Sequence, residues 1–188
     1  MTDRAADRLM LAVLLVAAAG WLSPCYAPWD ASNMANDDWL MHYAFHGFLR
    51  RSVLEYGEYP VWCRFFGGGY PIVGHPEFPS FTPLAANTLL FGERVGLKVN
   101  ALLVFLAGTA GAWLAARQVL GLSRPAAAAA TLALACSSWF PARLFSGNAN
   151  ETYFWLFPLQ VWLMERAAAR RSAASLAACA ALFALVAF

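Results

Sequence analysis

The chain has 188 residues, 61% of them hydrophobic and 13% charged, with a formal net charge of +2. Average soluble domains are about half apolar and about a quarter charged, so this balance points to a bilayer wherever the apolar residues come in long runs. So small a net charge gives no basis for nucleic-acid binding, and cysteines without C-x-x-C spacing give none for a cysteine zinc site.

Leu9–Leu22 is apolar throughout but shorter than the ~20 residues that cross a bilayer comfortably. Arg4 and Arg8 precede it and Ala17-Ala18-Ala19 stand near its end. That pattern fits either a first span or a cleavable signal peptide; the later apolar runs make the uncleaved span the simpler reading. In either case the residues after Leu22 are expected outside the cytoplasm.

Ser23–Arg94 is the long stretch that is not plainly lipid-soluble, and it holds all three histidines. Gly, Pro and aromatic residues punctuate it, so much of it reads as irregular. One helix stands out. Asn36 can cap it, Asp37 and Asp38 occupy its first turn, and Gly57 can end it. Trp39, Leu40, Tyr43, Phe48, Val53 and Leu54 give it a broad apolar stripe, suited to a membrane surface or to packing on the spans. Leu84–Phe91 reads as a second short helix. Cys25 and Cys63 flank this region and are able to pair if it faces an oxidising compartment; Cys136 and Cys179 read as small core residues.

Val95–Leu120 is the clearest span, and Gly108 and Gly111 would let a neighbouring helix approach closely. Gly121 to Pro125 reads as a tight turn, with Pro125 at the first position of the next helix. Further spans are expected at Ala126–Phe145, at Asn150–Ala168 with a kink at Pro158, and at Ser172–Phe188. The last run stops while still apolar, which predicts a fragment of a longer polytopic protein. The short inside loops carry Arg4 and Arg8, then Arg117 and Arg124, then Arg166, Arg170 and Arg171, whereas Ser146–Glu151 outside carries no basic residue. This places the N-terminus in the cytoplasm. The expected fold is an all-α, polytopic integral membrane protein of about five transmembrane helices, with a large extracytoplasmic first loop containing an amphipathic helix.

Asp37 and Asp38 are the sharpest chemical feature. Two carboxylates beside a span suit a general base or a divalent cation, although acids in a first helical turn are also favoured by the helix dipole, by about 0.3–1 kcal/mol. Asp38, His42 and His46 fall four residues apart on one helix face. A metal site is one reading of that row; a wet amphipathic face is the plainer one, with His42 as a hydrogen-bonding neighbour of Asp38. No metal ligand is assigned. Gly67-Gly68-Gly69-Tyr70-Pro71 lacks the spacing of a nucleotide fingerprint but allows a close backbone approach. Around it, Trp62, Phe65, Phe66 and Tyr70 suit either a stacked sugar ring or an interfacial belt. Arg50, Arg51 and Arg64 suit a lipid or leaving-group phosphate, or simply a solvated face. His75 and Glu77 lie in a Gly-His-Pro-Glu-Phe-Pro run, with Glu77 a secondary acidic candidate. Asn148, Asn150 and Glu151 stand at the outer mouth of two spans.

The order of these pieces carries a resemblance. An acidic pair after a first span leads to an amphipathic helix, G-E-Y-P-V-W (57–62) and GGGYP (67–71). L-G-L-S-R-P-A-A-A (120–128) then joins two spans, and G-N-A-N-E-T-Y-F-W-L-F-P-L (147–159) follows. This resembles the N-terminal part of the bacterial YfhO-like membrane proteins, within the GT-C superfamily of glycosyltransferases. The resemblance covers nearly the whole chain through loose motifs. It implies transfer of a sugar from a polyprenyl-phosphate donor to a glycan, lipid or protein acceptor at the outer face of the bacterial cytoplasmic membrane. It also implies an essential acid in the first outer loop, which Asp38, followed by His42-Tyr43, matches best. Asp37 is the adjacent alternative, because Asn-Asp-Asp stands here where the YfhO type more often has glycine before the acid. His42, Arg50, Arg51, Arg64, Tyr70, His75, Glu77, Asn148 and Glu151 would then contact substrate. A divalent cation is the one cofactor such a site would suit. The alternatives are a transporter or flippase-like protein, which predicts polar groups within the spans, and a non-catalytic membrane scaffold.

Overall fold

The computed structural model describes residues 3–27, 37–65, 67–73, 75, 78, 82–148 and 150–187. They are mostly helical. Helix α1 (Asp3–Leu22) runs into a 3-10 turn at Ser23–Cys25, and α2 (Asp37–Leu54) leads to a small antiparallel hairpin of β1 (Trp62–Cys63) and β2 (Tyr70–Pro71). Then follow α3 (Ala85–Leu114) with a π turn at Ala115–Val119, α4 (Arg124–Ala135), α5 (Trp139–Ser146), a 3-10 segment at Asn150–Leu156, α6 (Phe157–Arg170) and α7 (Ala173–Ala187). Among the described residues two helices are long and apolar enough to cross a membrane, α1 with its 3-10 turn and α3 with its π turn. Their outward side chains fit that length: Val16 is 73% exposed and Leu9, Val13, Leu90 and Leu103 are exposed too, an apolar surface that water would not favour.

The element boundaries correct the expected spans in several places. α1 begins at Asp3, upstream of Leu9. α3 absorbs the short helix expected at Leu84–Phe91 but is not continuous with it. Gly92 has φ 81 and ψ 170, outside helical space, and the segment before it folds back on the segment after it. A Cβ at Gly96 would strike the Thr88 backbone, and Asn87 Nδ2 donates to Asn100 Oδ1 at 2.7 Å. The part after Gly92 still exceeds the ~20 residues that a bilayer core requires.

The span expected at Ala126–Phe145 is broken into α4 and α5 around Ser137. Pro141 explains this. Within a continuous helix its ring would clash with the carbonyl four residues back, at Ser137, so the chain closes α4 at Cys136 and restarts with Pro141 in the first turn of α5. Pro158 likewise starts α6 and does not kink a longer helix, because proline fits a first turn, where the missing N–H has no partner to lose. The residues before it take the 3-10 form.

α3 is the central helix. Gly108 and Gly111 bring the 3-10 segment and α6 against it so closely that a Cβ at Gly108 would collide with the Trp155 carbonyl and one at Gly111 with the Leu159 backbone of α6. At one end of the molecule Asp7 of α1 accepts from Arg124 Nε at 2.7 Å and lies 3.4 Å from Arg117, while Arg124 also reaches Asp3 at 2.8 Å. At the other end α2 lies across the tips of the helices. Beneath its N-terminal half is the main core, where Trp39 meets Leu22, Tyr26, Leu97, Phe140 and Leu144. Beneath its C-terminal half is a second core of Phe45, Phe48, Leu49, Cys63, Ile72 and Phe78. Cys25 packs on the first core and Cys63 belongs to the second, and both are free thiols.

Candidate functional site at the helix mouth

α2 positions the candidate residues, and its buried face does so through polar as well as apolar side chains. Trp39, His42, Phe45, His46, Leu49 and Ser52 recur at helical spacing, and all are buried. Trp39 Nε1 donates to the Leu144 carbonyl at 2.5 Å, and His42 Nε2 donates to the Gly147 carbonyl at 3.1 Å. These carbonyls end α5, where Gly147 takes the left-handed conformation (φ 83) typical of a helix C-terminus. Two donors on successive turns of α2 therefore satisfy backbone groups that a helix end leaves open. Four residues further along, His46 Nδ1 shares a 2.5 Å hydrogen bond with the Thr88 hydroxyl.

The row of Asp38, His42 and His46 thus divides by role. The two histidines are 3% and 4% exposed and hold α2 down, whereas Asp38 is exposed. Burial, and to a lesser degree the neighbouring His42, depresses the His46 imidazole to about 3, so it is neutral at physiological pH. Burial raises the Tyr43 hydroxyl, with the Arg94 guanidinium pulling the other way. The Asp37 and Asn150 side chains, Asn36, Phe66 and Glu77 lie outside the described residues.

The remaining candidates do not form one cluster. Asn148 and Glu151 are on the Asp38 side. They follow Gly147, the partner of His42; Glu151 pairs with Arg143 at 2.8 Å, and its N–H donates to the Asn148 carbonyl at 3.1 Å. Arg50, Arg51, Arg64 and Tyr70 lie towards the other end of α2. From Asp38 to Arg50 that helix rises roughly 18 Å at 1.5 Å per residue. Arg51 is paired with Glu55 at 3.1 Å and Arg64 with Glu58 at 2.7 Å, while Arg50 is exposed. His75 packs against Phe45 in a tilted arrangement, with ring centres 4.9 Å apart. Among the described residues no group of three or more His, Cys, Asp or Glu side chains is arranged to hold a metal ion.

Sequence reasoning missed Lys98. It is 1% exposed inside α3, and its ammonium donates to the Tyr26 carbonyl at 3.3 Å beneath Trp39. An ionisable side chain in so apolar a run was the available signal. It also missed Thr88, the partner of His46, which nothing in the local pattern distinguishes. No family model matches the chain, and no curated protein and no solved structure matches it either.

Proposed function

We propose that the chain is a polytopic integral-membrane glycosyltransferase of the GT-C type in the bacterial cytoplasmic membrane. In this reading the N-terminus is cytoplasmic and Ser23–Arg94 lies outside. α1, α3, α4 with α5, α6 and α7 make up the membrane region. The enzyme takes a sugar from a polyprenyl-phosphate donor and gives it to a cell-envelope glycan, lipid or protein. The observation that carries the proposal is the arrangement of α2: one face is fastened to the helix tips by Trp39, His42 and His46, and its first turn leaves Asp38 exposed. The motif order quoted above supplies the reaction class. The Arg117 and Arg124 cluster at the opposite end of the molecule agrees with a cytoplasmic location for that end.

The chemistry follows from those positions. Asp38 accepts the proton of an acceptor hydroxyl as its oxygen attacks the anomeric carbon; the bond from that carbon to the phosphate oxygen breaks, and lipid phosphate leaves. An arginine of the outer segment, among Arg50, Arg51, Arg64 and Arg94, neutralises the departing phosphate. The rival transporter or scaffold reading draws support from Lys98 and Asn100, buried in the apolar α3. Lys98, however, bonds to Tyr26 near the Gly92 end of the helix and not at its middle. The test is envelope glycan analysis by mass spectrometry in a strain deleted for the gene and rescued with the wild type. A sugar lost on deletion and restored on rescue supports the transferase; an unchanged glycan profile contradicts it.

A further inference from the structure

A cleft of about 390 Å³ opens between the C-terminal end of α2 and β1, within the range of small-molecule sites, roughly 300–1,000 Å³. Five aromatic rings line it: Phe48, Tyr56, Tyr59, Trp62 and Phe65. Ser52, Glu58 and Arg64 add a hydroxyl, a carboxylate and a guanidinium to the same walls. From Asp38 to Ser52 the helix rises roughly 21 Å, so this cleft is separate from the acid at the helix start.

Trp62 is the organising ring. It is 51% exposed, and its pyrrole edge rests where a Cβ of residue 69 would be. Gly69 also has φ 98, and Gly67 and Gly68 have φ 54 and 84, all in the left-handed half of backbone space where side chains are strained. The glycines therefore turn the chain between β1 and β2, and Gly69 alone leaves room for the edge of the indole. Two of the other rings already carry cations, Arg51 over Phe65 at 5.3 Å and Arg64 over Tyr56 at 5.8 Å. Among the described residues no aromatic ring and no cation is recorded against Trp62, whose cross-strand partner is Pro71.

We infer that this cleft binds a pyranose ring, with the sugar's C–H face on Trp62 and its hydroxyls on Glu58, Arg64 and Ser52. A sugar presents an apolar face ringed by hydrogen-bonding groups, and the cleft presents the complement of both. A lipid-facing aromatic belt requires neither a cavity nor a carboxylate–guanidinium pair at its centre. This site goes beyond the transferase reading and stands without it, since it requires no reaction at Asp38.

The test is saturation-transfer NMR on the full chain in lipid nanodiscs. The probes are the methyl glycosides of glucose, galactose, mannose and N-acetylglucosamine. At least one is expected to receive saturation above empty nanodiscs, strongest on the ring protons of one face. Trp62→Ala should cut that transfer at least fivefold, Trp62→Phe should retain about half of it, and Trp21→Ala on α1 should leave it unchanged. Absence of transfer to all four probes, or transfer that survives Trp62→Ala, overturns the proposal. So does quenching by brominated lipid of the fluorescence that Trp62→Phe removes, because that ring would then face hydrocarbon.

Discussion

His46 Nδ1 lies 2.5 Å from the Thr88 hydroxyl, with both side chains buried. The bond joins α2 to the short helical segment before Gly92, and a depressed imidazole makes it sensitive to acid. An unfolded histidine takes up a proton near 6.5, whereas folded His46 does so only near 3. Between those values the unfolded state binds more protons, so stability falls as pH falls through that window, by at most about 1.4 kcal/mol per pH unit; above it the contribution is flat. The protection factors of the α2 amides, exchange measured relative to the intrinsic rate at each pH, should therefore fall between pH 6.5 and pH 4. In His46→Leu that acid dependence should disappear, while exchange at neutral pH rises because the Thr88 hydroxyl is left buried without its partner, at about 1–3 kcal/mol.

Gly108→Ala should destabilise the protein by roughly 1–3 kcal/mol, because Trp155 in the 3-10 segment leaves no room for a methyl group there and that segment must move away from α3. Gly111→Ala should behave alike. Gly20→Ala is the control: nothing lies within 4 Å of the added carbon, and alanine is the better helix former. Thermal unfolding in nanodiscs should show lowered midpoints for the first two and none for the third.

The close approach to Gly108 and Gly111 was legible in the sequence, because small residues a helical turn apart inside an apolar run have few other uses. So were the start of α2 at its acidic pair and the turn at Gly121, where φ is 65. The break in Ala126–Phe145 was not. Its alanine-rich first half has no periodicity to interrupt, and Pro141 marks only that a helix must yield within the preceding turn. The candidate site was legible as residues but not as an arrangement. Histidines on one face with an acid suggest chemistry in solvent, yet His42 and His46 share their stripe with Trp39, Phe45 and Leu49, and that stripe is buried. Their partners, Gly147 and Thr88, are too distant in sequence for any local pattern to reveal.

Asp7 joins the start of α1 to both Arg117 and Arg124. Asp7→Asn should lower the unfolding midpoint by a few degrees, and Arg124→Gln should do the same. The double substitution should cost less than the sum of the two, because each removes the same interaction. Added salt should weaken the wild type toward the single variants, since the pair is partly open to solvent.

Asp38 is the proposed base, and Asp38→Asn removes its charge while keeping its shape at the start of α2. The deletion strain is rescued with wild type, Asp38→Asn, Asp38→Glu or Asp37→Asn, at matched membrane levels, and envelope glycans are compared by mass spectrometry. Wild type should restore the missing sugar and Asp38→Asn should not, while Asp38→Glu and Asp37→Asn should retain part or all of the activity. If Asp38→Asn restores the full glycan profile, Asp38 is only the start of a helix and the transferase mechanism built on it is wrong.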